Sequence, residues 1–217
     1  MTYNTVIFDL DGTLLNTLED LKDSVNHALK ELNYPLKTAE EVRSYIGNGV
    51  WQLIQLSVPA GTSADASDQC LQLFKEHYAR NNRNKTAPYE GIMELLEDLK
   101  KQGIKLAVVS NKFDAAVKAL CPVYFPGYID IAIGESARVA RKPAPDSVNA
   151  VMEALGSAKE QVIYVGDSEV DVETAHNAGI PCIGVAWGFR GRKVLEDAGA
   201  DIIIEKPQEI ADYLIKI

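Results

Sequence analysis

Asp9 and Asp11 stand one residue apart, directly after the apolar run Val6-Ile7-Phe8 and directly before Gly12 and Thr13. In a strand, residues i and i+2 share a face. The two carboxylates would therefore lie side by side if pairing continued, and crowded carboxylates repel unless a proton or a cation lies between them. One carboxylate of such a pair can attack phosphorus and form an aspartyl phosphate. Its neighbour can protonate the leaving oxygen and later activate water. The competing reading of an isolated Asp-x-Asp is a structural cation loop or a solvent-facing strand end. The apolar run before the pair and the Gly-Thr-Leu after it favour the chemical reading.

Three further polar clusters follow apolar runs or open loops. Ser110 and Asn111 succeed the apolar stretch 104–109 and could hydrogen-bond a transferring phosphoryl group with help from backbone N–H groups; an ordinary helix cap is the alternative. Lys142, before Pro143, could neutralise a nucleophilic aspartate and phosphoryl oxygens, although a single lysine is usually a solvated charge. Asp167 and Asp171, in Gly166-Asp-x-x-x-Asp with Glu169 between them, offer hard oxygen ligands suited to Mg²⁺. Alone they would read as acids complementing a helix dipole. Gly47-Asn48-Gly49 is a flexible turn that could reach a substrate, or a helix connection needing positive φ. His27, His77 and His176 share no evident partner, and Gly184, Gly188 and Gly191 make no dinucleotide fingerprint.

The elements that must position these groups are legible in the hydrophobic period. Leu18, Leu21, Val25, Leu29 and Leu32 recur at helical spacing over 17–32, with a weak capping box at Thr17 and Asp20. A second helix starts at the capping box Thr38-x-x-Glu41, and further helical patterns cover 50–56 and 64–80. After the polar linker 80–85 the pattern becomes alternating helix and strand. Strands are expected at 104–109, 128–133, 162–165, 181–186 and 201–204, with helices at 92–102, 114–120, 146–155, 170–178, 193–198 and 209–215. Continuously apolar strands separated by helices imply a parallel sheet covered on both faces. The expected fold is thus α/β, a doubly wound parallel sheet with an inserted all-helical cap. The core domain takes 1–15 and 85–217, and the cap 16–84. Parallel strands bring their carboxyl ends to one edge, so Asp9, Ser110 and Asp167 should converge.

Bulk properties bound the partners. The 217 residues suffice for one core with a sizeable insertion. A net charge of −9 and a pI near 4.9 disfavour nucleic acid and anionic membranes, while a metal and one or two lysines could still reverse the field around a small anion. Cys70, Cys121 and Cys182 are scattered without a CxxC, which fits a reducing compartment. No secretory leader is evident, and no apolar run approaches the roughly 20 residues of a membrane span. The expectation is a cytoplasmic protein, monomer or homodimer.

Taken together, Phe8-Asp9-Leu10-Asp11-Gly12-Thr13, Val109-Ser110-Asn111, Arg141-Lys142-Pro143 and Gly166-Asp167-Ser168-Glu169-Val170-Asp171 resemble the four motifs of the haloacid dehalogenase superfamily. The stretches Tyr45-Ile46-Gly47-Asn48-Gly49, Tyr124-Phe125-Pro126-Gly127 and Ala186-Trp187-Gly188-Phe189-Arg190 are similar to its phosphoglycolate phosphatase-like branch. The resemblance implies a Rossmannoid core and a Mg²⁺-dependent phosphatase of a small phosphorylated metabolite. Asp9 would be nucleophile and metal ligand, and Asp11 general acid/base with its main-chain oxygen on the metal. Asp167 would complete the protein ligands, with Asp171 ligating or close behind. Ser110, Asn111, Lys142 and Gly12 would hold the phosphoryl group, and Gly47, Asn48 and Gly49 would form a cap specificity loop. Asn16, at the cap hinge, stands where many relatives carry Asp, and the linker 87–91 departs from the second aromatic and proline that many phosphoglycolate phosphatases have there; the second departure leaves the substrate open. A phosphomutase, a phosphatase for sugar phosphates, nucleotides or pyrophosphate, and a non-catalytic binding module on the same fold are the alternatives.

Overall fold

Thr5–Phe8 forms β1, a strand buried at every position. The computed structural model describes residues 3–215. From β1 the chain passes through a two-residue strand β2 (Leu15–Asn16) into α1 (Leu18–Glu31), α2 (Ala39–Tyr45), α3 (Gly49–Ser57) and α4 (Ala64–Asn81). It returns through β3 (Ala87–Pro88), and then alternates: α5 (Ile92–Lys101), β4 (Lys105–Phe113), α6 (Asp114–Tyr124), β5 (Ile131–Glu135), α7 (Asp146–Leu155), β6 (Val162–Gly166), α8 (Glu169–Ala178), β7 (Cys182–Val185), α9 (Arg192–Ala198), β8 (Ile202–Ile204) and α10 (Gln208–Ile215).

Six strands form one parallel sheet in the order β5-β4-β1-β6-β7-β8. The α/β, doubly wound architecture expected from the apolar runs is therefore present. Alternate residues of each strand feed opposite faces. Val6, Phe8, Leu106, Val108, Ile163 and Val165 pack with Leu95, Leu99, Leu120 and Leu214 of α5, α6 and α10. Ile7, Ala107, Val109 and Tyr164 pack with Val148, Val151, Val172 and Leu195 of α7, α8 and α9. Because β1 lies between β4 and β6, the direction of winding reverses there, and the crevice beyond the carboxyl ends of these strands is where such sheets take ligands.

Helices α1 to α4 close around a separate apolar cluster that includes Leu21, Val25, Leu29, Leu53, Ile54, Phe74 and Tyr78, joined by Ala116, Phe113 and Phe189 from the sheet side. The two chain crossings are tied together, since β2 and β3 pair antiparallel. Asp20, buried at the start of α1, accepts hydrogen bonds from Lys85 N (3.0 Å), Thr86 N (2.9 Å) and Thr86 Oγ1 (2.8 Å). The capping box expected at Thr17 and Asp20 does not form, and the Thr17 hydroxyl is buried without a partner. The returning backbone amides need an acceptor in a dry place, and they take Asp20 from the helix end. The box at Thr38 and Glu41 does form.

Two strands differ from the expected limits by more than a residue at an end. β5 spans Ile131–Glu135 rather than 128–133, because α6 runs on to Tyr124 and a turn follows it. β4 does not stop at Val109 but continues to Phe113. Val109 pairs with Ile133 and Phe113 with Glu135, so β4 spends four residues where β5 spends two. That irregularity bulges Ser110, Asn111 and Lys112 out of the ladder, as bulges beside functional sites do. Among the described residues no helix is long and apolar enough to cross a membrane.

Candidate active site

The strand ends meet at Lys142, which lies in the loop before α7 and whose side chain is only 4% exposed. Its Nζ donates to Asp9 Oδ1 (2.8 Å), Asp171 Oδ1 (2.7 Å), Tyr164 Oη (3.0 Å) and Val109 O (3.2 Å). A lysine so deeply buried survives as a cation only among anions. Burial pulls its pKa down, but the carboxylates of Asp171 and Asp9 more than reverse this and hold it well above the ordinary lysine value.

Asp9, Asp167 and Asp171 are all buried, and each offers a carboxylate oxygen within 4.8 Å of the others. Burial, with the neighbouring charges of Asp171 and Asp11, pushes Asp9 up to about 7 against the pull of Lys142. Burial, then Asp171 and Asp9, likewise raise Asp167 far above the usual carboxylate range. The cluster thus carries more negative charge than its one lysine balances. Hard carboxylate oxygens in that state suit a small divalent cation such as Mg²⁺. The oxygens are not equally free. Asp171 Oδ1 accepts from Lys142 and Tyr164, and its Oδ2 from Ser168 N (3.1 Å) and Oγ (2.6 Å), an arrangement that also caps α8. Asp167 is steadied by Phe189 N on Oδ2 (2.7 Å) and by Thr13 Oγ1 on Oδ1 (3.3 Å).

Asp11 is placed apart. β1 ends at Phe8, the chain turns, and Asp11 pairs with Lys112, whose Nζ lies 3.0 and 2.8 Å from its two oxygens. The side chain of Lys112 is 2% exposed and that of Asp11 12%. Asp9 and Asp11, adjacent in sequence, are therefore held by two different lysines. Lys112 was not singled out by sequence; its only signal was its place as third member of the polar triplet after an apolar strand.

Ser110 faces the cavity and accepts from Lys112 N (3.2 Å). Asn111 lines it as well, but its amide is committed: Nδ2 donates to Lys142 O (3.1 Å) and Gly47 O (3.0 Å), and Oδ1 accepts from Lys142 N (2.8 Å). Asn111 thereby fixes the lysine loop and ties the cap to the sheet. The cap turn is gripped from the core side at successive carbonyls. Arg190 donates to Ser44 O (2.9 Å) and Ile46 O (2.6 Å), and Arg141 to Asn48 O (2.8 Å). Gly47 and Gly49 border the cavity, whereas Asn48 does not.

Glycines press against the acids. A Cβ on Gly12, whose φ is +95°, would stand 2.4 Å from Asp167 Oδ2. One on Gly188 would stand 2.2 Å from Asp167 Cβ, and one on Gly166 2.3 Å from Asp171 Cβ. Sequence pattern pointed to Gly12 but gave no role to Gly166 or Gly188, because the need arises only when three loops converge. Trp187 is not on the cavity; its indole donates to Thr13 O (3.0 Å), bracing the turn after β1.

The haloacid dehalogenase-like hydrolase family model matches residues 6–185. A phosphoglycolate phosphatase of Aquifex aeolicus is 34% identical over 210 residues, which cover 96% of this chain and 95% of the relative. A phosphoglycolate phosphatase of Pseudomonas putida is 33% identical over 206 residues, covering 92% and 75% respectively. A crystal structure of a candidate phosphoglycolate phosphatase from Lactobacillus delbrueckii subsp. bulgaricus superposes with a TM-score of 0.93 at 33% identity, over 99% of each chain.

Proposed function

The chain belongs to the haloacid dehalogenase-like hydrolase family and is a phosphatase of its phosphoglycolate phosphatase-like branch, and from that premise we propose a Mg²⁺-dependent route through an aspartyl phosphate on Asp9. The observation that carries the reading is the separation of the two acids, with Asp9 on Lys142 inside the cluster and Asp11 on Lys112 outside it.

In the first step a carboxylate oxygen of Asp9 bonds to the phosphorus of a phosphomonoester as the ester P–O bond breaks. Asp11 delivers a proton to the departing alcohol oxygen. In the second step Asp11 takes a proton from water as that water attacks the phosphorus, releasing inorganic phosphate and restoring Asp9. Lys142 balances the charge of Asp9 and the phosphoryl oxygens, and the Ser110 hydroxyl offers those oxygens a donor; the Gly12 amide expected to join it already donates to Leu15 O (2.8 Å). Asn111 acts through Lys142, which it orients. A divalent cation, held by Asp9, Asp167 and the main-chain oxygen of Asp11, would neutralise phosphoryl charge. Asp171, whose oxygens are already engaged, supports Lys142 and the start of α8.

The cap of residues 16–84 closes over this chemistry and excludes water. Between cap and core lies a cavity of about 50 Å³, room for only a few water-sized groups. That volume favours a small ester such as 2-phosphoglycolate over a nucleotide.

Phosphate release from a panel of 2-phosphoglycolate, glucose 1-phosphate, nucleotides and pyrophosphate, with Mg²⁺ and with EDTA, tests the reading. The expected outcome is turnover led by 2-phosphoglycolate and lost in EDTA. Leadership by a bulkier ester would overturn the substrate assignment. Isomerised glucose 6-phosphate in place of inorganic phosphate would identify a mutase, and no turnover of any ester would identify a binding module.

A further inference from the structure

The cap presents the cavity with an apolar wall, Leu21, Ile46, Val50 and Leu53, and one exception. Tyr78, on α4, lines the same cavity and is fully buried, yet its hydroxyl has no well-aligned hydrogen bond, only the neighbouring ammonium of Lys112 to interact with. A buried hydroxyl left unpaired is costly. Packing does not require it, because Phe74 one turn earlier stacks on the ring with centroids 5.5 Å apart and Phe113 meets its edge at 6.3 Å. Phenylalanine would fill the same space, so the hydroxyl serves its polar surroundings, the Lys112 ammonium and the cavity.

Beside the ring stands Lys112, with Nζ 4.6 Å from the ring centre. An ammonium has three donors. The oxygens of Asp11 occupy two of them, and the third is left with the poorly aligned Tyr78 hydroxyl as its neighbour. Ser110 is assigned to the phosphoryl oxygens, and the cavity's amide and remaining cationic side chains are spoken for. The amide of Asn111 is committed to Gly47 and Lys142. Arg190 holds Ser44 O and Ile46 O and lies 3.3 Å from Glu169. Lys142 is surrounded by four acceptors.

We propose that Tyr78 Oη and the remaining donor of Lys112 form a leaving-group subsite that takes a carboxylate attached next to the scissile ester oxygen. The proposal rests on the reading of Asp11 as the group that protonates that oxygen. A leaving oxygen at Asp11 carries its substituents toward Lys112 and Tyr78, while the rest of the wall accepts only apolar surface. The cap thereby selects substrate with one hydroxyl set in a hydrocarbon surface, and the core supplies the counter-charge. Tyr78 is a specificity residue under this assignment.

The test compares kcat/KM for 2-phosphoglycolate and for ethyl phosphate, which keeps the two-carbon chain but lacks the carboxylate oxygens, in the intact enzyme and in Tyr78→Phe. The wild type should prefer 2-phosphoglycolate, and Tyr78→Phe should lower the ratio of the two kcat/KM values by roughly tenfold or more, chiefly through KM. A merely structural hydroxyl would move both substrates together, so a ratio unchanged within twofold would overturn the subsite. A wild type that hydrolyses both esters without preference sinks the subsite and leaves the phosphatase reading standing. A wild type that hydrolyses neither contradicts both.

Discussion

Asp9→Asn should lower kcat by about 10⁴-fold or more while making the metal-free protein harder to unfold. The first effect follows because an amide cannot attack phosphorus as a carboxylate does. The second follows from burial. Asp9 is raised from an ordinary value of 3.8 to about 7 by desolvation and by the charges of Asp171 and Asp11. An acid whose folded pKa lies above its unfolded one costs stability as pH rises from about 4 to about 7, because the folded state must hold a charge it resists. Asparagine removes that cost. Thermal melts in EDTA should therefore show the variant above the wild type at pH 8 by a few degrees, on the order of 1 kcal/mol or more, with the gap closing toward pH 4. Magnesium should raise the wild-type midpoint more than that of the variant. Near-normal turnover by Asp9→Asn would remove it as the nucleophile.

Lys142→Met should be nearly as damaging to activity and, in contrast, strongly destabilising. Methionine matches the length of the stem but leaves Asp9 and Asp171 without the cation that sits 2.8 and 2.7 Å from them. Removing one partner of a buried ion cluster typically costs about 3–5 kcal/mol, equivalent to a midpoint roughly 10 °C lower for a chain of this size. The sign with pH is opposite to that of Asp9→Asn. Acids deprived of Lys142 charge with greater difficulty, so the deficit should widen as pH rises and shrink in acid, where the carboxylates are protonated in both proteins. Urea unfolding at pH 5 and pH 8, alongside phosphate release, checks both parts. An unchanged midpoint at pH 8 would mean that Lys142 is not the counter-charge of the cluster.

The sheet was legible because its strands are apolar at every position, as 6–8, 106–109 and 162–165 show, and buried parallel strands advertise themselves that way. The convergence of Asp9, Ser110 and Asp167 followed from strand direction alone. What lay beyond sequence was pairing across distance. Nothing in the chain says that Asp11 belongs to Lys112 and Asp9 to Lys142, because each partner is more than 100 residues away. The extension of β4 past Val109 was hidden because polar residues at a strand end read as a loop, while here a bulge keeps them in the sheet. Thr17 and Asp20 fitted a capping pattern, yet the returning linker outcompeted the helix end for the carboxylate. Gly188 and Tyr78 gave no local signal. One is required by the approach of Asp167 from another loop, the other by the cavity that α4 closes.

Trapping the phosphoryl group tests the covalent role of Asp9 most directly. In Asp11→Asn, acetyl phosphate in the presence of Mg²⁺ should load the enzyme and then stall. Acetate departs without needing a proton, whereas hydrolysis of the loaded enzyme needs Asp11 to activate water. Acid quench followed by peptide mass analysis should find the phosphoryl group on Asp9. Phosphate released by this variant at the wild-type rate with Asp9 unmodified, or a phosphoryl group on any other residue, would contradict it.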